Sequence, residues 1–210
     1  ATWISANNIL GKNISLEILH HHHHQDLVNA VLDGKLWTLW YTSVPSPETM
    51  MNEIKRRLYF MEMQTKLPFA VIDNGTGSAI GMSSFMNIEP SIRRLEIGST
   101  WYALSVQGTA VNTECKLLLL TEAFENYQCV AVEFRTNYLN IKSRRAIESL
   151  GAKLDGVLRN HMFNDDKTLR DTCVYSIIQS EWPTVKSYLQ HKLIRKLEKL
   201  SLVQYKMSLN

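Results

Sequence analysis

Apolar and polar residues alternate over Ser15–Leu19, the period of a half-buried strand, and the next segment reads as one or two helices. After Pro47-Glu48-Thr49 the period changes. Met51, Ile54, Leu58 and Met61 recur at three- and four-residue spacing, with Lys55, Arg56 and Arg57 between them, which predicts an amphipathic helix. Its methionine-rich stripe reads as core or as the wall of a substrate groove. Pro68 introduces the apolar run Phe69–Ile72, and Asp73-Asn74-Gly75-Thr76-Gly77 turns the chain back into Ala79–Met86, a hairpin pattern. A further strand, Leu95–Ala103, follows the basic pair Arg93-Arg94.

The second half alternates strand and helix. A strand leads through Val106–Asn112 into a helix over Thr113–Asn126, then into a β-rich run, Val130–Arg135. The next helix spans Asn140–Leu150, with Asn140 placed to cap its start and Gly151 to stop it. Two strands, Leu154–Phe163 and Asp171–Ile178, close the pattern around the turn Asn164-Asp165-Asp166-Lys167. The sum is an α/β domain, a mixed sheet with helices on both faces, covering residues 1–190. Residues 191–210 read as a helical extension of it. From Trp182 onward Leu189, Leu193, Leu197 and Leu200 share a stripe, and six basic residues but one acidic lie between Lys186 and Lys206. Such a basic amphipathic helix packs its leucines on its own domain or on a second subunit of a homodimer; docking on a partner or an anionic surface is the alternative.

Composition narrows the class. The chain has 210 residues, 45% of them hydrophobic, enough for one sizeable core. A net charge of +3 gives no nucleic-acid footprint, and no apolar run approaches the ~20 residues that span a bilayer. The first residues lack the pattern of a secretory signal. Cys115, Cys129 and Cys173 are widely spaced and odd in number, which points to buried thiols in a reducing cytoplasm. Five consecutive histidines, His20–His24, sit between a strand and a helix. On a helix they would fan out and leave only a pair such as His20 and His24 on one face, so no functional metal is expected.

The loop Gln107-Gly108-Thr109-Ala110-Val111-Asn112 is the most informative local feature. Gly108 lets a ligand approach the backbone, Ala110 keeps the next step small, and the following helix presents unpaired N–H groups, an arrangement suited to a pyrophosphate. Around it come Glu96-Ile97-Gly98-Ser99-Thr100-Trp101, Glu133-Phe134-Arg135-Thr136, Asn140-Ile141-Lys142-Ser143 and Leu150-Gly151-Ala152. This succession resembles the GNAT N-acetyltransferases, in particular the branch of ribosomal-protein acetyltransferases RimJ and RimL, over residues 13–190. One departure is Ser105, where that superfamily usually carries Gln or Arg.

The resemblance implies a sheet of about seven strands splayed in its middle. Acetyl-CoA would serve as co-substrate, with no metal required, and an amine, either a protein N-terminus or a small molecule, as acceptor. It implies that Gln107–Asn112 holds the pyrophosphate, that Asn140 bonds the pantetheine arm and that the Ser143 hydroxyl lies near the cofactor sulfur. Glu96 and Asp155 are the two candidate bases. Partners beyond the coenzyme and acceptor, such as nucleic acid or membrane, are not expected. A non-catalytic acyl-CoA-binding protein is the alternative reading.

Overall fold

The computed structural model describes residues 3–40 and 42–208. In chain order the elements are β1 (Ile9–Leu10), β2 (Ile14–Ile18), α1 (His24–Leu32), α2 (Met50–Glu62), β3 (Lys66–Asp73), β4 (Ala79–Glu89), β5 (Arg94–Tyr102) and α3 (Ala110–Thr121). They continue with β6 (Ala131–Asn137), α4 (Ile141–Glu148), β7 (Lys153–Phe163), β8 (Leu169–Ile178) and α5 (Trp182–Ser208). The eight strands form one sheet in the order β1-β2-β3-β4-β5-β6-β8-β7. Its eighth member is the two-residue β1, too short to leave a period in the sequence. Neighbouring strands are antiparallel except β5 and β6, whose parallel pairing requires a crossover; α3 supplies it.

Both faces of the sheet are covered. Along β3, Leu67, Phe69 and Val71 join a core beneath α3 and α5, while Ala70 and Ile72 join a second core with α1 and α2. That is the period-two pattern of a strand buried on both sides. Helix α2 differs from its predicted stripe. Met50, Ile54 and Arg57 are its buried residues, and Met51, Leu58 and Met61 are half-buried. Arg57, expected on the polar side, is 2% exposed because its guanidinium reaches the Glu53 carboxylate at 2.7 Å and Ser84 on β4 at 3.4 Å. The histidines lie between strand and helix, as expected. His21–His23 form a 3₁₀ turn, and the α-helix begins only at His24. Helix α3 begins three residues earlier than predicted, at Ala110, capped by the Thr109 side chain.

Helix α5 runs without interruption across the expected boundary at residue 190. The Trp182 ring stacks on Phe124 (centroids 5.2 Å apart, planes at 21°), and its indole N–H donates to Glu125. The leucine stripe then leaves the domain by degrees. Leu189 is fully buried, Leu193 and Leu197 are half-buried, and Leu200 is 39% exposed. Of the four leucines expected to bury against the domain or a second subunit, only Leu189 is fully buried within this chain, because the helix outruns the core it packs on. Leu189→Ala should cost about 2–5 kcal/mol, whereas Leu200→Ala should stay within about 0.5 kcal/mol of wild type. Urea titration of the two variants measures both.

Candidate active site

The site is built on a fork. β5 and β6 pair only at Arg94–Ala131, Leu95–Val132 and Glu96–Glu133. Beyond that point β5 stays bonded to β4 as far as Tyr102, and β6 to β8 as far as Asn137, so the two strands diverge with unpaired edges facing each other. A bulge sharpens the bend. The β4–β5 register shifts between Met82 and Ser84, opposite Ser99, whose φ of 51° is left-handed. Residues 97–102 of β5 thus offer backbone N–H and C=O groups to whatever enters the gap.

On the α1–α2 side the fork floor is charged. Glu96 is 5% exposed and accepts from Asn87 Nδ2 at 2.6 Å, and it lines a cavity of about 400 Å³ with Thr65, Glu133 and Arg135. Burial pushes its pKa up to about 7, against the opposing pull of the Asn87 hydrogen bond and the Arg135 charge. Lys66, buried nearby and donating to Ser99 Oγ at 3.3 Å, is pushed down to about 8 by burial and by repulsion from Arg57 and Arg56. Both groups move toward their neutral forms near neutral pH. Glu133, the partner of Glu96 across the fork, is committed instead to Arg94 (3.0 and 3.1 Å) and Arg135. Asp155, the other predicted base, lies at the β7 bulge with its side chain 48% exposed, 3.9 Å from Arg94.

On the α3–α4 side, Gly108 has φ +75°, and open space surrounds the position its Cβ would take. Thr109 caps α3 by accepting from Val111 N at 3.3 Å, and Gln107 is tied to Tyr102 O and to Lys142 Nζ. Asn140 caps α4, its side-chain oxygen accepting from Ser143 N at 3.0 Å, so the asparagine and serine of the predicted pair are in contact. No acidic residue occupies the first turn of either helix. The structure therefore gathers Gln107–Asn112, Asn140 and Ser143 around the two helix starts and sets Glu96 at the fork. Asn87 and Lys66 carried no local sequence signal, because their partners lie on other strands, whereas Arg57 pairs with Glu53 on its own helix and only its bond to Ser84 crosses to β4. Among the described residues one cluster has metal-binding types: Glu17, His22 and His23. In it His23 accepts the His20 N–H at Nδ1, which leaves its ring proton at Nε2, facing Glu17 at 2.9 Å.

Residues 14–153 match the acetyltransferase (GNAT) domain family. The chain belongs to that family. YdaF of Bacillus subtilis (strain 168), provisionally named a ribosomal N-acetyltransferase, is 31% identical over 106 residues; the match covers 50% of this chain and 57% of that relative's length. A GCN5-related N-acetyltransferase from Brucella melitensis superposes with a TM-score of 0.80 at 26% identity, over 90% of this chain and 86% of its own. The fold is shared too with RimL, a ribosomal L7/L12 α-N-protein acetyltransferase solved with coenzyme A (TM-score 0.69, 18% identity, 82% of this chain and 98% of that one). In this GNAT domain the flanking helices match what the sequence pattern led one to expect, and the splayed sheet matches what the family resemblance implied.

Glu96 gives the domain a measurable pH signature. Its folded pKa, about 7, lies above the ordinary carboxylate value, so between roughly pH 4.5 and 7 the folded chain holds a proton that the unfolded chain has lost. Its contribution is complete below that window and is lost as the pH rises through 7. Glu96→Gln, which stays neutral, should therefore gain up to about 3 kcal/mol over wild type at pH 8 and little at pH 4.5. Denaturant melts at the two pH values check this.

Proposed function

We propose that this protein transfers an acetyl group from acetyl-CoA directly to a primary amine, with Glu96 as proton acceptor and the Ser143 hydroxyl as hydrogen-bond donor to the leaving sulfur. The observation that carries the reading is the open edge of β5, which has the Gly108 loop and two helix starts on one face of the sheet and the buried Glu96 on the other. The residues suit the coenzyme. A loop with positive φ, open space at Gly108 and a helix start free of acidic residues accommodates a pyrophosphate, and the unpaired β5 edge accommodates the amide-bearing pantetheine arm.

Acetyl-CoA supplies an acetyl group activated as a thioester. A backbone N–H of residues 97–102 polarises its carbonyl. The amine attacks only when neutral, so Glu96 takes the proton released as the C–N bond forms, a task suited to a carboxylate held near pH 7. The C–S bond then breaks, and the Ser143 hydroxyl at the start of α4 donates a hydrogen bond that stabilises the departing thiolate while the amine proton stays on Glu96. Asn140 fixes that serine by capping the helix and directs its remaining amide N–H groups to the pantetheine arm. Asp155 is the second candidate for the base, half-exposed and 3.9 Å from Arg94. The acceptor class that the relatives favour is a protein N-terminus. Three buried free thiols, Cys115, Cys129 and Cys173, suit a reducing cytoplasm.

Gly108→Val forces a β-branched residue into a left-handed conformation, and it should abolish the rise in melting temperature that acetyl-CoA gives wild type. Ser143→Ala should lower kcat by roughly 10- to 1000-fold and leave the Kd for acetyl-CoA near wild type, since its bond forms only as sulfur leaves. Glu96→Gln should lose about 100-fold or more just above pH 7, where wild-type Glu96 is ionised, with the gap narrowing below pH 7, where the wild-type carboxyl is itself protonated, and again at high pH as free amine accumulates. Thiol release with a panel of amines and N-terminal peptides measures these rates. A wild-type chain that binds acetyl-CoA yet releases no thiol with any acceptor would identify a non-catalytic acyl-CoA-binding protein. If Asp155→Asn loses more rate than Glu96→Gln, the base assignment reverses.

A further inference from the structure

Helix α5 does more than cover the core. It passes the start of α3, where Lys196 Nζ donates to the backbone carbonyl of Thr109, the α3 cap, at 3.1 Å. One turn earlier Lys192 Nζ donates to Ser149 O and Oγ at the end of α4 (2.8 and 2.9 Å). From the other flank Lys142, in the first turn of α4, reaches Gln107 Oε1 at 2.6 Å. Two ammonium groups therefore bracket the Gln107–Thr109 loop, and Lys199 lies one turn beyond Lys196 on the same helix.

This arrangement opposes ordinary helix electrostatics. A helix start carries about half a positive charge and favours acidic side chains. Here two helix starts have none in their first turns, and lysines gather beside them instead. Among the described residues neither Lys142 nor Lys196 has a carboxylate partner. Burial lowers the pKa of Lys196, and no neighbouring anion offsets that cost. The charges are arranged for a polyanion that arrives from outside.

Building on the reading of the loop as a coenzyme site, we infer that Lys196 of α5 contacts a phosphate of coenzyme A, which makes the C-terminal helix part of the coenzyme site. Its side chain already lies against the loop, and exchanging the Thr109 carbonyl for a phosphate oxygen replaces a neutral acceptor with a charged one. The phosphate is either one of the pyrophosphate pair or the 3′-phosphate.

Titration calorimetry with coenzyme A and with 3′-dephospho-coenzyme A tests the assignment on wild type, Lys196→Gln and Lys196→Arg. Gln keeps a donor for the Thr109 carbonyl and removes only the charge, so a purely structural lysine would leave affinity unchanged. Lys196→Gln should bind coenzyme A about 10-fold more weakly, as expected for one lost charge-assisted bond, with less sensitivity to salt than wild type, and Lys196→Arg should retain most of the affinity. Equal losses for both ligands assign the pyrophosphate; a loss confined to coenzyme A assigns the 3′-phosphate. Unchanged affinity of Lys196→Gln for both ligands overturns the inference while leaving the loop assignment intact. If wild type binds neither ligand, the coenzyme reading fails, and this inference fails with it.

Discussion

Adjacent parallel strands satisfy one another's N–H and C=O groups along their shared length, and a strand left open on one side is a site waiting for a partner. In this domain β5 and β6 share three residue pairs and then separate. The separation is stable because neither strand depends on the other beyond Glu96 and Glu133: β4 holds β5 to Tyr102, and β8 holds β6 to Asn137. The strained Ser99 and the register shift beside it turn β5 outward, a backbone cost of about 1 kcal/mol or more that the surrounding sheet must offset. Helices α3 and α4 both start near the gap, so their positive ends converge where the paired backbone ends. The Gly108 loop, the open edge of β5 and the buried Glu96 all take their places from this one failure to pair.

The two faces of the gap differ in chemistry. Beneath α3 and α5, Leu95, Ile97, Cys115, Leu119 and Phe124 pack together, with Lys116 buried beside them against Tyr102 and Asn112. Across the sheet, Glu53, Arg57, Lys66, Glu96 and Asn87 form a polar floor. Taking such charges out of water costs several kcal/mol each, and the protein meets that cost in two ways. Arg57 and Glu53 stay charged and paired. Glu96 and Lys66, without a close ion-pair partner, shift toward neutrality. A carboxyl that releases and regains its proton near neutral pH is an asset to amine acetylation and a burden to stability, and here it sits at the last paired residue of the fork.

Much of this was legible from residue order. The hairpin of β3 and β4, the capped start of α4 at Asn140, the stop at Gly151 and the Gly108 loop all rest on contacts within a few positions in the chain, where side-chain chemistry and backbone geometry are directly linked. Arg57 was misread because periodicity treats every arginine as solvent-facing, whereas the Glu53 carboxylate four residues back and Ser84 on β4 make its burial tolerable. Asn87 and Lys66 were invisible for a related reason: their partners, Glu96 and Ser99, come from another strand. The leucines of α5 show the opposite limit. Their spacing established an amphipathic helix, but only the size of the domain beneath decides how many of them find a surface.

By itself, then, the sequence determined the succession of strands and helices, the fold family and the short motifs at the two helix starts, because hydrophobic period, capping and glycine geometry act over one or two turns of chain. Tertiary structure decided where β5 and β6 part, which carboxylate is buried enough to titrate near neutrality, and that α5 returns to lay Lys196 against the Gly108 loop. Those outcomes depend on desolvation and on contacts across as many as 87 positions, and no local pattern encodes the dielectric surroundings that residues acquire only when the chain has folded.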